Sequence, residues 1–311
     1  MVDIVRYSEG RKGEWNQFLQ YSKNGLFLFD RDYMEYHSDR FIDFSLMVYA
    51  DNELIGLLPA NLEQDMFVSH GGLTFGGFIT DSGMGAERML DIFDHVLNYL
   101  TSKSIRKVVY KCIPYIYCSL PAEEDRYALF RKSAMLYRRD ATSAIYLPER
   151  PVFQKARDRG IKKALKNNLA VKLSNDFKTY WEILKDNLIK VYETKPVHSL
   201  QEIENLHRKF PGNIKLFASY QGKTMMAGVV IYESAHVAHA QYIANSEEGR
   251  EKGALDIVFS YLINEHYRDK RYFDFGVSTE KEGQFLNTGL TAYKESFGAR
   301  AAVHDFYELN L

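Results

Sequence analysis

The sequence predicts an α/β (α+β) protein in which one mixed-sheet module is used twice. Three observations predict it. Each half opens on a hairpin of apolar strands, continues through a glycine-containing loop into an amphipathic helix, and closes with strand, helix and strand. In the first half FSLMVYA (44–50) and ELIGLLPA (53–60) flank Asp51 and Asn52, which suit a tight turn. In the second, IKLFASY (214–220) and TMMAGVVIY (224–232) flank Gln221, Gly222 and Lys223. The order β-β-β-α-β-α-β therefore recurs at an offset of about 165 residues.

The helix of the first half places Met89, Ile92, Phe93, Val96, Leu97 and Leu100 on one face by their three-and-four spacing. Its counterpart carries Ala254, Ile257, Val258, Tyr261 and Leu262. Short strands follow at KVVYK (107–111) and YFDFG (272–276), and final strands at SAIYL (143–147) and VHDFYEL (303–309). Between the halves Pro148 and Pro151 interrupt any strand, and a basic helix follows with Lys155, Arg157, Arg159, Lys162, Lys163 and Lys166 against Asp158. This divides the chain into a domain of residues 1–150 and a domain of residues 151–311. The basic face reads as a solvated linker or as a contact for a phosphate-bearing molecule. The next helix buries Phe177, Tyr180, Trp181, Leu184, Leu188 and Val191, with Asn175 or Asp176 as its cap.

With 311 residues, 46% hydrophobic and 26% charged, the chain is an ordinary globular protein of two-domain size. A net charge of -1 excludes a global attraction to nucleic acid or anionic membrane. The two cysteines, Cys112 and Cys118, form neither a disulfide framework nor a metal-spaced set, so no metal is expected. The start MVDIVRYSEGRKGEW lacks a secretory pattern and no apolar run has membrane-spanning length, so a cytoplasmic location without membrane insertion is expected.

Chemistry concentrates in the second half. The segment NSEEGREKGALDIVF (245–259) leads into the second amphipathic helix, where free N–H groups and the helix dipole attract phosphate; Gly249, Arg250, Gly253 and Ala254 are the candidate cradle. The polar loop 277–288 begins at a strand's carboxyl end, where open α/β sheets bind ligands, and supplies Glu280 as a candidate base. Asn287 reads either as a substrate contact or as the cap of the following helix. His198, after Pro196, and Tyr242, on the strand before the phosphate loop, are candidate acceptor contacts, with polar-loop and core roles as the plainer readings. His236 and His239, three apart on an expected strand, point to opposite faces, which argues against a shared metal. The glycine-rich run HGGLTFGGF (70–78) reads as bulges and close strand packing, able to form one wall of an acceptor cleft.

The segment YFDFGVSTEKEGQFLNTGLTAYKESFGA (272–299) resembles the C-terminal signature of the Fem-type branch of the GNAT acyltransferase superfamily. There a strand ending Asp-Phe-Gly leads through a polar loop to a helix bearing Lys-Glu-x-Phe-Gly-Ala; Asp274, Phe275, Gly276, Lys294, Glu295, Phe297, Gly298 and Ala299 fit. Arg250, Glu251, Lys252 and Gly253 match the start of the superfamily's phosphate loop, Arg/Gln-x-x-Gly-x-Gly/Ala, and Leu255 stands where its last small residue would be. The resemblance implies tandem GNAT-like domains and transfer of an acyl group from acyl-coenzyme A to a small-molecule or peptide amine. It implies for Lys294 the stabilisation of negative charge at the attacked carbonyl. Fem-type enzymes that build cell-wall cross-bridges use aminoacyl-tRNA instead, some through a basic helical arm for which this chain has no insertion. A ligand-binding module without turnover is the rival reading.

Overall fold

The structure, a computed structural model, describes residues 2–149, 151–192 and 194–311, the side chains of Val191 and Tyr192 excepted. Its elements run β1 (Val2–Arg6), α1 (Lys12–Tyr21), α2 (Arg31–Met34), β2 (Ile42–Asp43), β3 (Leu46–Ala50), β4 (Glu53–Leu58), β5 (Asn61–Glu63), β6 (Met66–Val68) and β7 (Ile79–Thr80). Then come α3 (Ala86–Ser102), β8 (Lys107–Lys111), α4 (Glu124–Arg131) and β9 (Met135–Tyr146). The second half holds α5 (Lys155–Lys166), β10 (Leu169–Ser174), α6 (Phe177–Tyr192), α7 (Leu200–Lys209), β11 (Ile214–Gln221), β12 (Thr224–Glu233) and β13 (Val237–Asn245). It ends with α8 (Glu247–Lys252), α9 (Ala254–Tyr261), β14 (Tyr272–Val277), β15 (Thr279–Glu280), β16 (Phe285–Leu286), α10 (Thr288–Glu295) and β17 (Arg300–Asn310).

The duplicated order is present. β3 and β11 start at residues 46 and 214, α3 and α9 at 86 and 254, β8 and β14 at 107 and 272, and β9 and β17 at 135 and 300. The turns are those the residues dictate: Asp51 and Asn52 both take positive φ, 50° and 69°, the two-residue turn that matches strand twist, and Gly222 takes φ 60°. Met89, Ile92, Phe93, Val96 and Leu100 are buried on α3, each such side chain contributing about 2 kcal/mol by removal from water. On α6, Phe177, Tyr180, Trp181 and Leu184 are buried and Leu188 is half-buried, while the Val191 side chain lies outside the described residues. Asp176 caps this helix by accepting from the Thr179 amide at 3.0 Å.

The compact units are not contiguous halves. One comprises 1–141, 280–285 and 303–311, the other 142–279 and 286–302. The reason is an exchange of final strands. In the first unit β8 pairs antiparallel with β17, Phe306 opposite Lys111, although β17 closes the second repeat. In the second, β14 pairs antiparallel with β9, Phe273 opposite Ile145, although β9 closes the first repeat. The first unit also holds the antiparallel sheet β1-β3-β4-β7 and packs it around Phe67, Phe78, Phe93 and Tyr110. The second holds β10-β11-β12-β13-β14 in sequence order, antiparallel except for the parallel pair β13–β14, with Phe217, Phe259, Phe273 and Phe297 at its centre.

Within the first unit the run 70–78 is an irregular loop with turns, not a bulged strand. A side chain on Gly76 would meet the Ser69 carbonyl at 2.0 Å, so close packing does explain that glycine. Lys111 holds the loop by donating to the carbonyls of His70 (2.9 Å) and Leu73 (2.8 Å), and burial pulls its pKa down to about 8.

Candidate functional site

β13 and β14 are paired for only three positions, Val237 with Tyr272, Ala238 with Phe273 and His239 with Asp274. Beyond that point β13 continues to Asn245 and β14 to Val277 without pairing to each other, so the parallel strands part and leave a fork in the sheet. Gly276, at φ 78°, turns the end of β14.

Lys294 lies at this fork. Its helix is set by Asn287, whose side chain accepts from the Leu290 amide at 3.0 Å, and stopped by Gly298 at φ 92°. Lys294 is 3% exposed, not the solvated helix lysine its sequence position also permits. Its ammonium donates to the carbonyls of Gly276 at 2.7 Å and Val277 at 2.8 Å, the last residues of β14. Burial lowers its pKa to about 8, opposed by the charge of Asp274. The lysine is thus a cation at neutral pH.

Asp274 is fully buried and collects donors: the Thr142 hydroxyl, the Gly276 amide at 3.0 Å and Nδ1 of His239 at 2.8 Å. The alternation of residues along a strand tells which face His239 takes and nothing of Asp274. The partner stands on the neighbouring parallel strand, 35 residues away, and only the sheet register joins them. His236 lies in the turn before β13, off the strand.

His198 and Tyr242 meet although 44 residues separate them: Nδ1 of His198 lies 2.5 Å from the Tyr242 hydroxyl, which also accepts from the His198 amide at 3.2 Å. Trp181 packs edge-on to Tyr242 with ring centroids 5.1 Å apart.

Along the free part of β13 runs a cavity of about 330 Å³, lined by Ile243, Asn245, Arg157, Asn187, Arg250 and Tyr293 among others. Asn187 knits it together, donating to the Asn245 carbonyl at 2.8 Å and accepting from Arg250 Nη2 at 2.9 Å. Arg157, Arg250 and Gly253 on this lining are expected from the sequence as phosphate contacts; Asn187 is not, and its only signal is a polar residue within an amphipathic helix. Arg157 comes from α5; Nη1 pairs with Asp256 at 2.6 Å and the guanidinium lies 4.8 Å from the Tyr293 ring centroid. Burial raises the pKa of Asp256, against the charge of Arg157. Two buried polar atoms on the lining, Nε of Arg157 and Oδ1 of Asn245, have no partner among the described residues. Such atoms are seldom left unpaired and suit a polar ligand.

Of the expected phosphate cradle, Arg250 and Gly253 line this cavity. Residues 247–252 are not a loop but the short helix α8, capped by Ser246, whose hydroxyl accepts from the Gly249 amide at 3.0 Å. The glycines serve packing. A side chain on Gly249 would strike the Met226 carbonyl at 2.3 Å, and one on Gly253 the Gly160 carbonyl at 2.3 Å. Ala254 is buried as the first residue of α9. One side of the α9 N-terminus is therefore taken by α5, and a phosphate would meet the site from the cavity, at Arg157 and Arg250. Those groups fit the anionic part of a coenzyme A thioester. Glu280 is exposed in the β15–β16 hairpin and groups with the first unit, while Lys294 belongs to the second.

Residues 176–295 match the family described as acetyltransferase (GNAT) domain. This part of the chain is a GNAT domain. The whole chain takes the fold of tandem GNAT proteins. It superposes on FemX with a TM-score of 0.67 at 12% identity, covering 97% of this chain and 96% of that one. It is similar in the same way to L-PGS from Bacillus licheniformis, TM-score 0.63 at 11% identity over 97% and 92% of the two chains. A tandem GNAT protein from the clavulanic acid biosynthesis pathway gives 0.54 at 8% identity over 100% and 98%. Comparison with curated protein sequences gives no significant match. Within the GNAT domain the matched span contains the fork, Lys294 and all of α8 and α9. No helix among the described residues is long and apolar enough to cross a membrane.

Proposed function

We propose that the chain is an N-acyltransferase that moves an acyl or aminoacyl group from a thioester or ester donor, acyl-coenzyme A in the first instance, to an amine. The observation that carries this reading is the buried ammonium of Lys294 at the open fork between β13 and β14. A preorganised cation there supports charge on the carbonyl oxygen as the amine attacks. Coenzyme A supplies an activated thioester carbonyl when bound. Arg157 and Arg250 would hold its phosphates, Tyr242 with His198 would line the acceptor side, and Asn287 keeps α10, and so Lys294, in place. Glu280 is the carboxylate candidate for accepting the amine proton. The first repeat lacks the equivalent side chains: counting from the starts of β14 and β8, Asp274 corresponds to Val109, and from those of α10 and α4, Lys294 corresponds to Phe130, which is 75% exposed.

A screen of acyl-coenzyme A species and charged tRNA against mixed amines tests the reading, with thioester or ester cleavage that depends on added amine as the expected result. Thermal stabilisation by donors without any cleavage would leave a binding module instead. Replacing Arg157 or Arg250 by alanine is expected to raise KM for the coenzyme A donor about tenfold, the loss of one charge-assisted phosphate contact of about 1.5 kcal/mol, with kcat largely kept. A short acyl thioester without phosphates should show no such increase.

One observation favours aminoacyl-tRNA as donor. Lys155, Arg159, Lys162, Lys163 and Lys166 are all exposed on α5, with Asp158 as the acidic residue among them. A polyanionic carrier would use this face, and its binding would weaken linearly in log salt with a slope near the number of phosphates neutralised.

A further inference from the structure

We propose that His239, oriented by Asp274, is the group that takes the proton from the attacking amine. This rests on the acyltransferase reading and names a residue for a step that reading otherwise assigns to Glu280. The two side chains sit at the last paired position of β13 and β14, where the strands part. Nδ1 of His239 is 2.8 Å from a carboxylate oxygen of Asp274. A carboxylate can only accept there, so Nδ1 carries the proton and Nε2 is left with its lone pair. Among the described residues the ring's hydrogen bond runs through Nδ1 alone, and Nε2 is not one of the buried unpartnered polar atoms, in keeping with a half-buried ring at an open fork. Asp274 is itself fixed by the Thr142 hydroxyl and the Gly276 amide, so the imidazole is held in one orientation.

Gly276 keeps the space beside the ring. A side chain there would lie 3.3 Å from Cε1 of His239, and the glycine's carbonyl is one of the two that hold the Lys294 ammonium. Base and cation are therefore tied to the same short stretch of β14, one through Asp274 and one through Gly276 and Val277. In the step, a neutral amine forms the new C–N bond while its proton passes to Nε2. The C–S bond of a thioester, or the C–O bond of an ester, breaks, and the imidazolium returns the proton to the departing sulfur or oxygen. Nothing is oxidised or reduced, and the ring ends as it began.

His239→Gln separates this from a strand-tying role, because the glutamine amide can still donate to Asp274 but cannot accept a proton at neutral pH. The expected result is turnover lower on the order of a hundredfold, with donor KM within about threefold. Added imidazole should restore part of the rate in His239→Ala, and nitrogen NMR of the parent should show the Nδ1–H tautomer. Turnover in His239→Gln within about twofold of the parent, or the Nε2–H tautomer in the parent, overturns the assignment. Absence of turnover by the parent with every donor class overturns the transferase reading, and this assignment with it.

Discussion

Lys294→Met is expected to lower kcat on the order of a hundredfold while leaving KM for the donor nearly unchanged. The reason is that a fixed cation acts mainly on the charge of the transition state, an effect of about 3 kcal/mol. Its consequence for folding is a balance of opposed terms. Methionine leaves the carbonyls of Gly276 and Val277 without the donor they now have. It also removes a charge whose burial is costly enough to bring the pKa down to about 8. The two oppose each other at pH 7, and the melting temperature is expected to stay within a few degrees of the parent's.

The pH dependence separates them. An ordinary lysine titrates near 10.5 and the folded one near 8, so between those values the unfolded chain binds the extra proton. Stability contributed by this residue therefore rises as pH increases from 8 to 10.5, and is lost as pH falls through 8. The melting temperature of the parent minus that of Lys294→Met should increase across this window. In activity the direction is opposite, because deprotonation removes the cation and turnover declines above pH 8. A flat difference in melting temperature would mean that Lys294 does not carry a buried charge, and turnover within about twofold of the parent that it does not serve the reaction.

The parts of this fold that were legible in the sequence are those set by nearest neighbours along the chain. Asp51 and Asn52 announce their turn because few residues tolerate two successive positive φ values. The apolar face of α3 announces itself because 3.6 residues per turn is a local property. What the sequence hid depends on register between distant strands. Nothing in SAIYL or VHDFYEL says that β9 and β17 would each pair in the unit of the other repeat, since either could serve as a strand beside either neighbour. Lys294 was recognisable by its motif but not by its surroundings, because its two acceptors are backbone carbonyls. His239 was passed over for the same reason: its partner Asp274 is set by the pairing of β13 with β14. The motif around Arg250 and Gly253 was also visible, yet a glycine in a motif does not say which atom comes close to it.

For Gly253 the structure gives an answer that reverses the order of effects expected from the motif. A phosphate loop uses glycine so that a ligand can approach the backbone, and a bulky substitution would then weaken donor binding more than folding. Here the space is filled by the protein. A Cβ at Gly253 would stand 2.3 Å from the carbonyl oxygen and 3.0 Å from the carbonyl carbon of Gly160 on α5, and the residue holds φ 75°. Both contacts are backbone in a helix packed against α9, so neither can swing aside. Gly253→Val is expected to cost on the order of 3 kcal/mol or more, combining strain at positive φ with displacement of α5. The melting temperature should fall by roughly 5–10 °C. Gly222 supplies the control in the same unit, at φ 60° with nothing within 4 Å of its missing Cβ. Gly222→Ala should lose only the conformational part, about 1 kcal/mol. For Gly253→Val, donor affinity measured on the folded fraction should change less than stability does. A valine variant that melts with the parent but no longer binds donor would restore the phosphate-loop role to this glycine, and would require α5 to stand away from α9 when donor is bound.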